Sequence, residues 1–215
     1  MTILMGPPDQ KVVLRQVHWE TYERLLTDLA DSSSPRLTYD RGTLEIMSPL
    51  PEHERYNRAM AAIVDIVADE WDIDFDNLGS TTFRREDLER GFEPDSCFYT
   101  RNAEQIQGKR QIDLTVDPPP DLVIEIDITH SSLDKLALYA AMGVPEIWRY
   151  DGQLGRIMIL ESGAYQEQEG SRALPGLDAA TLSTFMEESK TLKRTAWLRR
   201  VRAWARERRE PAARG

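Results

Sequence analysis

Pro118–Asp151, PPPDLVIEIDITHSSLDKLALYAAMGVPEIWRYD, is the stretch on which the fold turns. Its three prolines stop whatever precedes them, since each lacks a backbone donor and fixes φ. Leu122 to Ile128 follows as a nearly continuous β-branched and apolar run, the pattern of a strand covered on both faces. Glu125 and Asp127 interrupt it, and side chains two apart on a strand leave the same face. Two carboxylates on a buried face are costly unless something compensates them, and a metal ion or a lysine is the usual compensator. Lys135 stands eight residues after Asp127, where Leu133, Leu136, Ala137 and Ala140 recur at helical spacing. Gly143 ends that helix, and Pro145–Asp151 is a second apolar run. The stretch therefore reads as strand, helix, strand, with charge at the first corner. Ligands tend to sit at the carboxyl ends of such strands.

The 215 residues around it suffice for one domain with a full core. No apolar run is long enough to cross a bilayer. Met1–Pro8 lacks the basic start and sustained apolar stretch of a signal peptide. Cys97 is the sole cysteine, which excludes an internal disulfide framework and a multi-cysteine zinc site. In its strand pattern it reads as a packed thiol rather than a nucleophile. Together these features predict a cytoplasmic protein. The net charge of −10 is unevenly spread. Residues 190–215 hold ten Lys/Arg and two Glu, a net +8, which leaves 17 basic against 35 acidic side chains, −18, on residues 1–189. Two parts are therefore expected: a domain over 1–189 and a basic helical tail over 190–215.

Upstream, Val12–Val17 reads as a short strand and Trp19–Leu29 as an amphipathic helix, with Tyr22, Leu25, Leu26 and Leu29 on one face. Arg36–Tyr39 and Thr43–Ser48 form a hairpin across Asp40-Arg41-Gly42. Pro51 opens the longest helix, which runs to about Trp71. Leu78–Arg84 and Gly91–Tyr99 are strand-like around the charged turn Arg85-Glu86-Asp87. Beyond the organising stretch, Leu154–Leu160 and Ala164–Glu169 form a hairpin, and Asp178–Ser189 and Ala196–Arg208 are helices. From Pro51 the order is helix, strand, strand, strand, helix, strand: an αβββαβ core in an α/β (α+β, mixed-sheet) fold, preceded by a helix and hairpin and followed by a helical extension.

Glu93-Pro94-Asp95, on the middle strand, adds a second pair of acids about thirty residues before Glu125 and Asp127. This arrangement resembles the PD-(D/E)XK nuclease superfamily, and within it the Uma-two (Uma2) family of restriction-endonuclease-like proteins. The resemblance covers nearly the whole chain. It includes WETYE at 19–23, GTLEIMSP at 42–49 with His53 after it, EPDSCFY at 93–99, PPDLVIE at 119–125, Lys135 with Tyr139, and GVPEIW at 143–148. It implies a restriction-endonuclease-like fold, Asp95 and Glu125 as carboxylates for Mg2+ or Mn2+, Lys135 as the catalytic lysine, and DNA as the substrate. The superfamily pattern sets lysine two residues after the glutamate, where this chain has Asp127. Either Lys135 reaches back from the helix or the site lacks a working lysine.

The chemistry asks for these residue types. A nucleophile must approach an anionic phosphodiester, and a hard divalent cation on carboxylate oxygens neutralises that charge and acidifies bound water. A nearby lysine can stabilise the transition state or orient the water. The competing reading is a structural ion-pair cluster of Glu125, Asp127 and Lys135. Asp127 is an accessory ligand or the group that Lys135 neutralises. His53 is an outer ligand or base, or else a packing histidine. Glu93 is an added ligand or the partner of an arginine. Glu45 is expected at the surface, the alternative being a site carboxylate; His18 and His130 have no metal-site spacing, and a substrate contact is the alternative for His130 beside the strand-to-helix corner. In the tail, Trp197, Val201, Trp204 and Ala205 form an apolar stripe, while Arg199, Arg200, Arg202 and Arg206 lie on other faces as nucleic-acid contacts or as ion-pair partners of the acidic body. The −18 body argues against simple phosphate binding. A non-catalytic binding or regulatory protein on a nuclease fold is therefore the rival function. Double-strand cutting would favour a homodimer.

Overall fold

The computed structural model describes residues 10–30, 34–128 and 133–209. In chain order the elements are β1 (Gln10–Arg15), α1 (Trp19–Asp28), β2 (Arg36–Asp40), β3 (Thr43–Ser48), α2 (Pro51–Glu70), β4 (Asp76–Gly79), β5 (Phe83–Arg85), a single 3-10 turn (Glu86–Leu88), β6 (Arg90–Phe92), β7 (Ser96–Tyr99), α3 (Ala103–Ile106), β8 (Leu122–Ile126), α4 (Lys135–Ala141), β9 (Glu146–Tyr150), β10 (Gly155–Glu161), β11 (Ala164–Gln168), α5 (Ala179–Thr191) and α6 (Arg194–Arg208). Local chemistry sets several of the ends. Pro51 stands in the first turn of α2, where no intrahelical donor is needed. The Asp134 carboxylate accepts from the Ala137 amide at 3.1 Å and caps α4, and Gly143, at φ +78, takes the left-handed turn beyond it. The Asp178 carboxylate caps α5 in the same way through the Thr181 amide at 2.7 Å.

The strands form two sheets, ordered β1-β3-β2-β6-β5 and β11-β10-β9-β8-β7-β4. Only β8 and β9 pair in parallel, through the crossover that carries α4. Within the second sheet, α2, β4, β7, β8, α4 and β9 are the expected αβββαβ core. The two strand-like stretches upstream of it differ from expectation. Leu78–Arg84 contributes β4 to the second sheet and β5 to the first, and Gly91–Tyr99 contributes β6 to the first and β7 to the second. The ladder slips between Asn77 and Gly79, where Gly79 adopts φ +57, and Pro94 has no N–H to continue a ladder. Between β4 and β7 the chain thus changes sheet twice, and Glu93–Asp95 lies at the second of these changes. Gly91 is required for another reason: a Cβ there would lie 2.2 Å from the Tyr22 hydroxyl oxygen.

Both faces of β8 are covered, which is why its sequence is continuously apolar. Leu122, Ile124 and Ile126 pack with Phe98, Trp148 and Tyr150 against α2, α5 and α6. Val123 faces the other way, with Cys97, Tyr99 and Ile147, against Leu138 and Tyr139 of α4. The tail joins the first of these layers: Trp197, Val201, Trp204 and Ala205 are buried in it. Trp71 Nε1 donates to the Ala205 carbonyl at 2.8 Å, and Trp197 Nε1 to the Phe185 carbonyl at 2.8 Å. A boundary at 189/190 falls inside α5. The first sheet presents Leu37, Tyr39 and Leu44 to Trp19 and Tyr22 of α1. Its opposite face looks at the carboxyl end of β8. Among the described residues no helix is long and apolar enough to cross a membrane.

Candidate active site

The β7–β8 ladder ends at the pair Ser96–Ile124, and Asp95, the residue before β7, sits in a bend beside that end. Arg36, which binds Asp95, also acts on the charge of Glu125, so the two acids lie about one guanidinium. Asp95 is 3 % exposed and held from three elements. Its Oδ2 accepts from the Ile126 amide at 2.7 Å, and its Oδ1 accepts from the Arg36 guanidinium on β2. His53 Nε2, on α2, stands 3.3 Å from Oδ2. Asn57, one turn further along α2, donates to the Asp95 carbonyl at 2.9 Å and accepts from the Ser96 hydroxyl at 2.8 Å. The second terminal nitrogen of Arg36 reaches Glu54. Asp95 therefore has a fixed orientation.

Glu125 is 6 % exposed and is held from α4. Lys135 Nζ donates to its Oε2 at 2.8 Å, and the Tyr139 hydroxyl donates to its Oε1. Lys135 and Tyr139 are four residues apart, so both project from one helical face. Burial pushes the Glu125 pKa up. The charge of Lys135, the two hydrogen bonds and the charge of Arg36 outweigh this and hold the carboxyl below its usual range. Burial likewise opposes the Lys135 ammonium, but Glu125, with Glu45 and Asp127 behind it, keeps its pKa above the usual lysine value. Burial and the neighbouring Glu125 charge raise the Tyr139 phenol, so it stays a donor.

The other expected residues are placed as follows. Asp127 has left the strand; its amide donates to the Tyr150 carbonyl at 2.8 Å and its carboxylate pairs with Arg149. Glu93 accepts from the Leu37 amide at 2.7 Å and the Thr82 hydroxyl at 2.6 Å, joining β2 to the β4–β5 connection. Burial raises its pKa against those hydrogen bonds and Arg36. Glu45, expected at the surface, is 1 % exposed and close enough to Lys135 to act on its charge. The correction has a simple cause: Leu44 packs towards α1, and alternation along β3 turns Glu45, with Met47, to the sheet's other face, which is covered there. His18 is exposed at the start of α1, and His130 lies outside the described residues. In the tail, Arg202 and Arg206 both reach Glu70 at 2.9 Å and Arg200 reaches Glu188 at 3.5 Å, while Arg199 is exposed.

Sequence reasoning did not single out Arg36, Glu54 or Lys11. A cleft of about 210 Å³ is lined by Lys11, Met47, Glu125, Asp127, Lys135 and Arg149, so β1 and β3 wall the site although they precede the core. Nothing local marks Arg36; only the β2–β3 register, which sets it opposite Met47, puts it on the cleft face. Two other acids of the quoted motifs are structural. Asp121 accepts from the Thr100 and Asn102 amides at 2.9 and 3.0 Å. Glu146 is fully buried and accepts from Trp148 Nε1 and the Ser171 hydroxyl at 2.6 Å each, and from the Arg172 and Ala173 amides at 2.8 Å.

Asp95 and Glu125 offer hard carboxylate oxygens of the kind that suits Mg2+ or Mn2+. Among the described residues no three His, Cys, Asp or Glu converge into a cage. The donor set is the sparse kind that magnesium accepts because it keeps several of its own waters. A cation between the two carboxylates would share their oxygens with Arg36, Lys135 and Tyr139. In donor chemistry the residues fit.

A mixed sheet with one acid just before β7, another near the end of β8, and a lysine on the helix that follows β8 is the arrangement of a restriction-endonuclease-like nuclease fold. The chain belongs to the Uma2 family, whose model, described as "Putative restriction endonuclease", matches residues 19–191. Among solved structures it resembles the crystal structure of "a putative nuclease belonging to DUF820" from Anabaena variabilis ATCC 29413. The two are 13 % identical with a TM-score of 0.53 over 79 % of this chain and 99 % of that one, a likeness of fold. No curated protein matches the chain.

Proposed function

We propose that the protein is a metal-dependent endonuclease that hydrolyses phosphodiester bonds in DNA. The observation that carries this reading is the corner itself: Lys135 Nζ lies 2.8 Å from Glu125, and Arg36, which binds Asp95, acts on the charge of that glutamate. Asp95 and Glu125 would hold the Mg2+ or Mn2+, which when bound neutralises phosphate charge and acidifies a coordinated water. The protein's own groups supply the rest. Arg36, His53 and the Ile126 amide fix the Asp95 carboxylate, so little reorganisation is left for the reaction. Tyr139 holds one Glu125 oxygen and leaves Lys135 on the other, where the ammonium faces the cleft and can stabilise charge developing on the phosphate. Preorganised donors of this kind contribute roughly 10²–10³ in rate. Lys11 and Arg149 also line the cleft, Arg149 in its ion pair with Asp127. Cytoplasmic action and a two-fold homodimer belong to this reading, the dimer if both strands are cut.

The rival, a binding or regulatory protein on the same fold, would keep the carboxylates as a structural ion-pair cluster. Incubating supercoiled plasmid with the protein and Mn2+ decides between them. Relaxation or linearisation that disappears in Asp95→Ala supports the nuclease. Equal cleavage by that variant identifies a contaminant, and no cleavage by either leaves the non-catalytic reading.

A further inference from the structure

A second concavity lies beside the candidate centre. It is a groove of about 730 Å³ between the first turns of α2 and the α5–α6 junction, and Arg55, Arg58, Tyr56, Lys190, Leu192 and Arg194 line it. Two sets of contacts link its wall to the centre. Glu54, on the groove wall, shares Arg36 with Asp95. Tyr56 meets Tyr150 edge-on at 5.2 Å, and the Tyr150 carbonyl accepts from the Asp127 amide at the carboxyl end of β8.

The groove differs from its surroundings in charge. The acids at its wall are engaged: Glu52 accepts from the Tyr56 hydroxyl at 3.0 Å, and Glu54 is taken by Arg36. The arginines are much less so. The Arg55 side chain has no partner among the described residues. Arg58 has only a 3.9 Å contact with Glu54, and its side chain is 78 % exposed. Arg194 donates to the Arg58 carbonyl at 3.3 Å and lies 4.7 Å over the Trp197 ring, neither of which neutralises it. Lys190 is tied to Glu187 and to the Gly152 carbonyl, so it forms the floor of the groove. Arg55 and Arg58 are three residues apart and project from one helical face. By contrast, Arg200, Arg202 and Arg206 further along α6 are in ion pairs with Glu188 and Glu70.

We infer that this groove holds the phosphate backbone of the DNA strand on one side of the scissile bond, with Arg55, Arg58 and Arg194 as its phosphate contacts. The inference rests on the nuclease reading for the identity of the strand. On its own account it explains how a chain of net charge −10 can bind a polyanion. Arginines without a close carboxylate collect in this groove, and the acidic surface elsewhere stays clear of the strand. An arginine whose guanidinium is not already paired gives up nothing to meet a phosphate, whereas one on Glu70 must first break an ion pair.

The test is equilibrium binding of a fluorescent DNA duplex in EDTA, where no cleavage occurs, across a range of salt concentrations. The proteins compared are the unaltered chain, Arg55→Gln/Arg58→Gln, the same pair with Arg194→Gln, and the tail pair Arg202→Gln/Arg206→Gln, each checked for an unchanged circular dichroism spectrum. Each phosphate contact contributes about 0.9 to the slope of log affinity against log salt. The groove pair should therefore lower the slope by roughly two and weaken binding about tenfold or more at low salt, the triple variant further, and the tail pair much less. An unchanged slope in the groove variants, or a loss confined to the tail pair, overturns the proposal. Hydrolysis of bis-p-nitrophenyl phosphate by the unaltered protein with Mn2+ is measured alongside. That small diester reports on the centre alone, so failure there with intact salt-dependent binding defeats the nuclease reading and leaves the groove standing.

Discussion

Lys135 Nζ donates to Glu125 Oε2 at 2.8 Å across the strand-to-helix corner, from the first residue of α4 to the next-to-last residue of β8. A lysine ten residues after the glutamate thus reaches back to it. We predict that Lys135→Met, which keeps most of the stem and deletes the charge, lowers the cleavage rate by about two orders of magnitude or more. Metal affinity should survive or tighten, since a competing cation is gone. Both are read in one preparation, and full activity in this variant would make the lysine a structural counter-ion.

Asp95→Asn should remove most calorimetric Mn2+ binding. It should also cost about 3–5 kcal/mol of stability in urea, because it leaves the buried Arg36 guanidinium short of its carboxylate. The two readouts separate the roles. Loss of stability with undiminished metal binding would mean that Asp95 serves Arg36 and not a cation.

The Glu125–Lys135 pair predicts a pH dependence with two limbs. The folded pKa of Glu125 is depressed, so its stabilisation is complete above the unfolded value of about 4.3 and is lost as pH falls through the lower folded value. The folded pKa of Lys135 is raised, so its stabilisation is complete below about 10.4 and is lost as pH rises through the higher folded value. The stability difference between the unaltered chain and Lys135→Met should form a plateau at neutral pH and narrow at both extremes. Urea titrations from acid to alkaline pH measure it, and a difference constant across the range would show that the pair is not coupled to folding.

The tail belongs to the core. Trp204 is 5 % exposed, lies edge-on to Phe185 at 5.4 Å and stands 5.8 Å from Trp71. Trp204→Ala should therefore cost about 3–5 kcal/mol. Truncation after Ser189 should abolish cooperative thermal unfolding. A truncated chain that melts as sharply as the parent would show that α6 is dispensable for the fold.

Cys97 is fully buried on β7, and burial pushes its thiol up to about 12. It should be inert to a thiol reagent at pH 8 in the native protein and react promptly in denaturant. Rapid labelling of the native protein would mean that the β4–β7–β8 part of the sheet opens readily.

Much of this molecule follows from patterns a few residues long. The unbroken apolar run before Glu125 forced a two-sided strand, the 3.6-residue recurrence after Leu133 forced α4, and Gly143 ended it. The hairpin at Gly42, the proline start of α2 and the apolar stripe of α6 are equally local signals. Glu125 and Asp127 stood out because acids in a buried strand are costly, and Lys135 as their compensator; Asp95 was marked by the resemblance to the nuclease family. What surrounds them was decided only by tertiary structure, because it depends on which strands become neighbours. The stretches 78–84 and 91–99 each look like one strand, yet a glycine-centred slip and a proline without a donor send their halves to different sheets. That division brings β2 and β3 over the site and with them Arg36 and Glu45, 59 and 90 residues in sequence from Asp95 and Lys135, the groups they act on. Local periodicity reports which face of an element is buried, but says nothing about what buries it. The partners of Asp95, the burial of Glu45 and the basic groove beside α2 are all properties of faces meeting, and the chain had to fold before they existed.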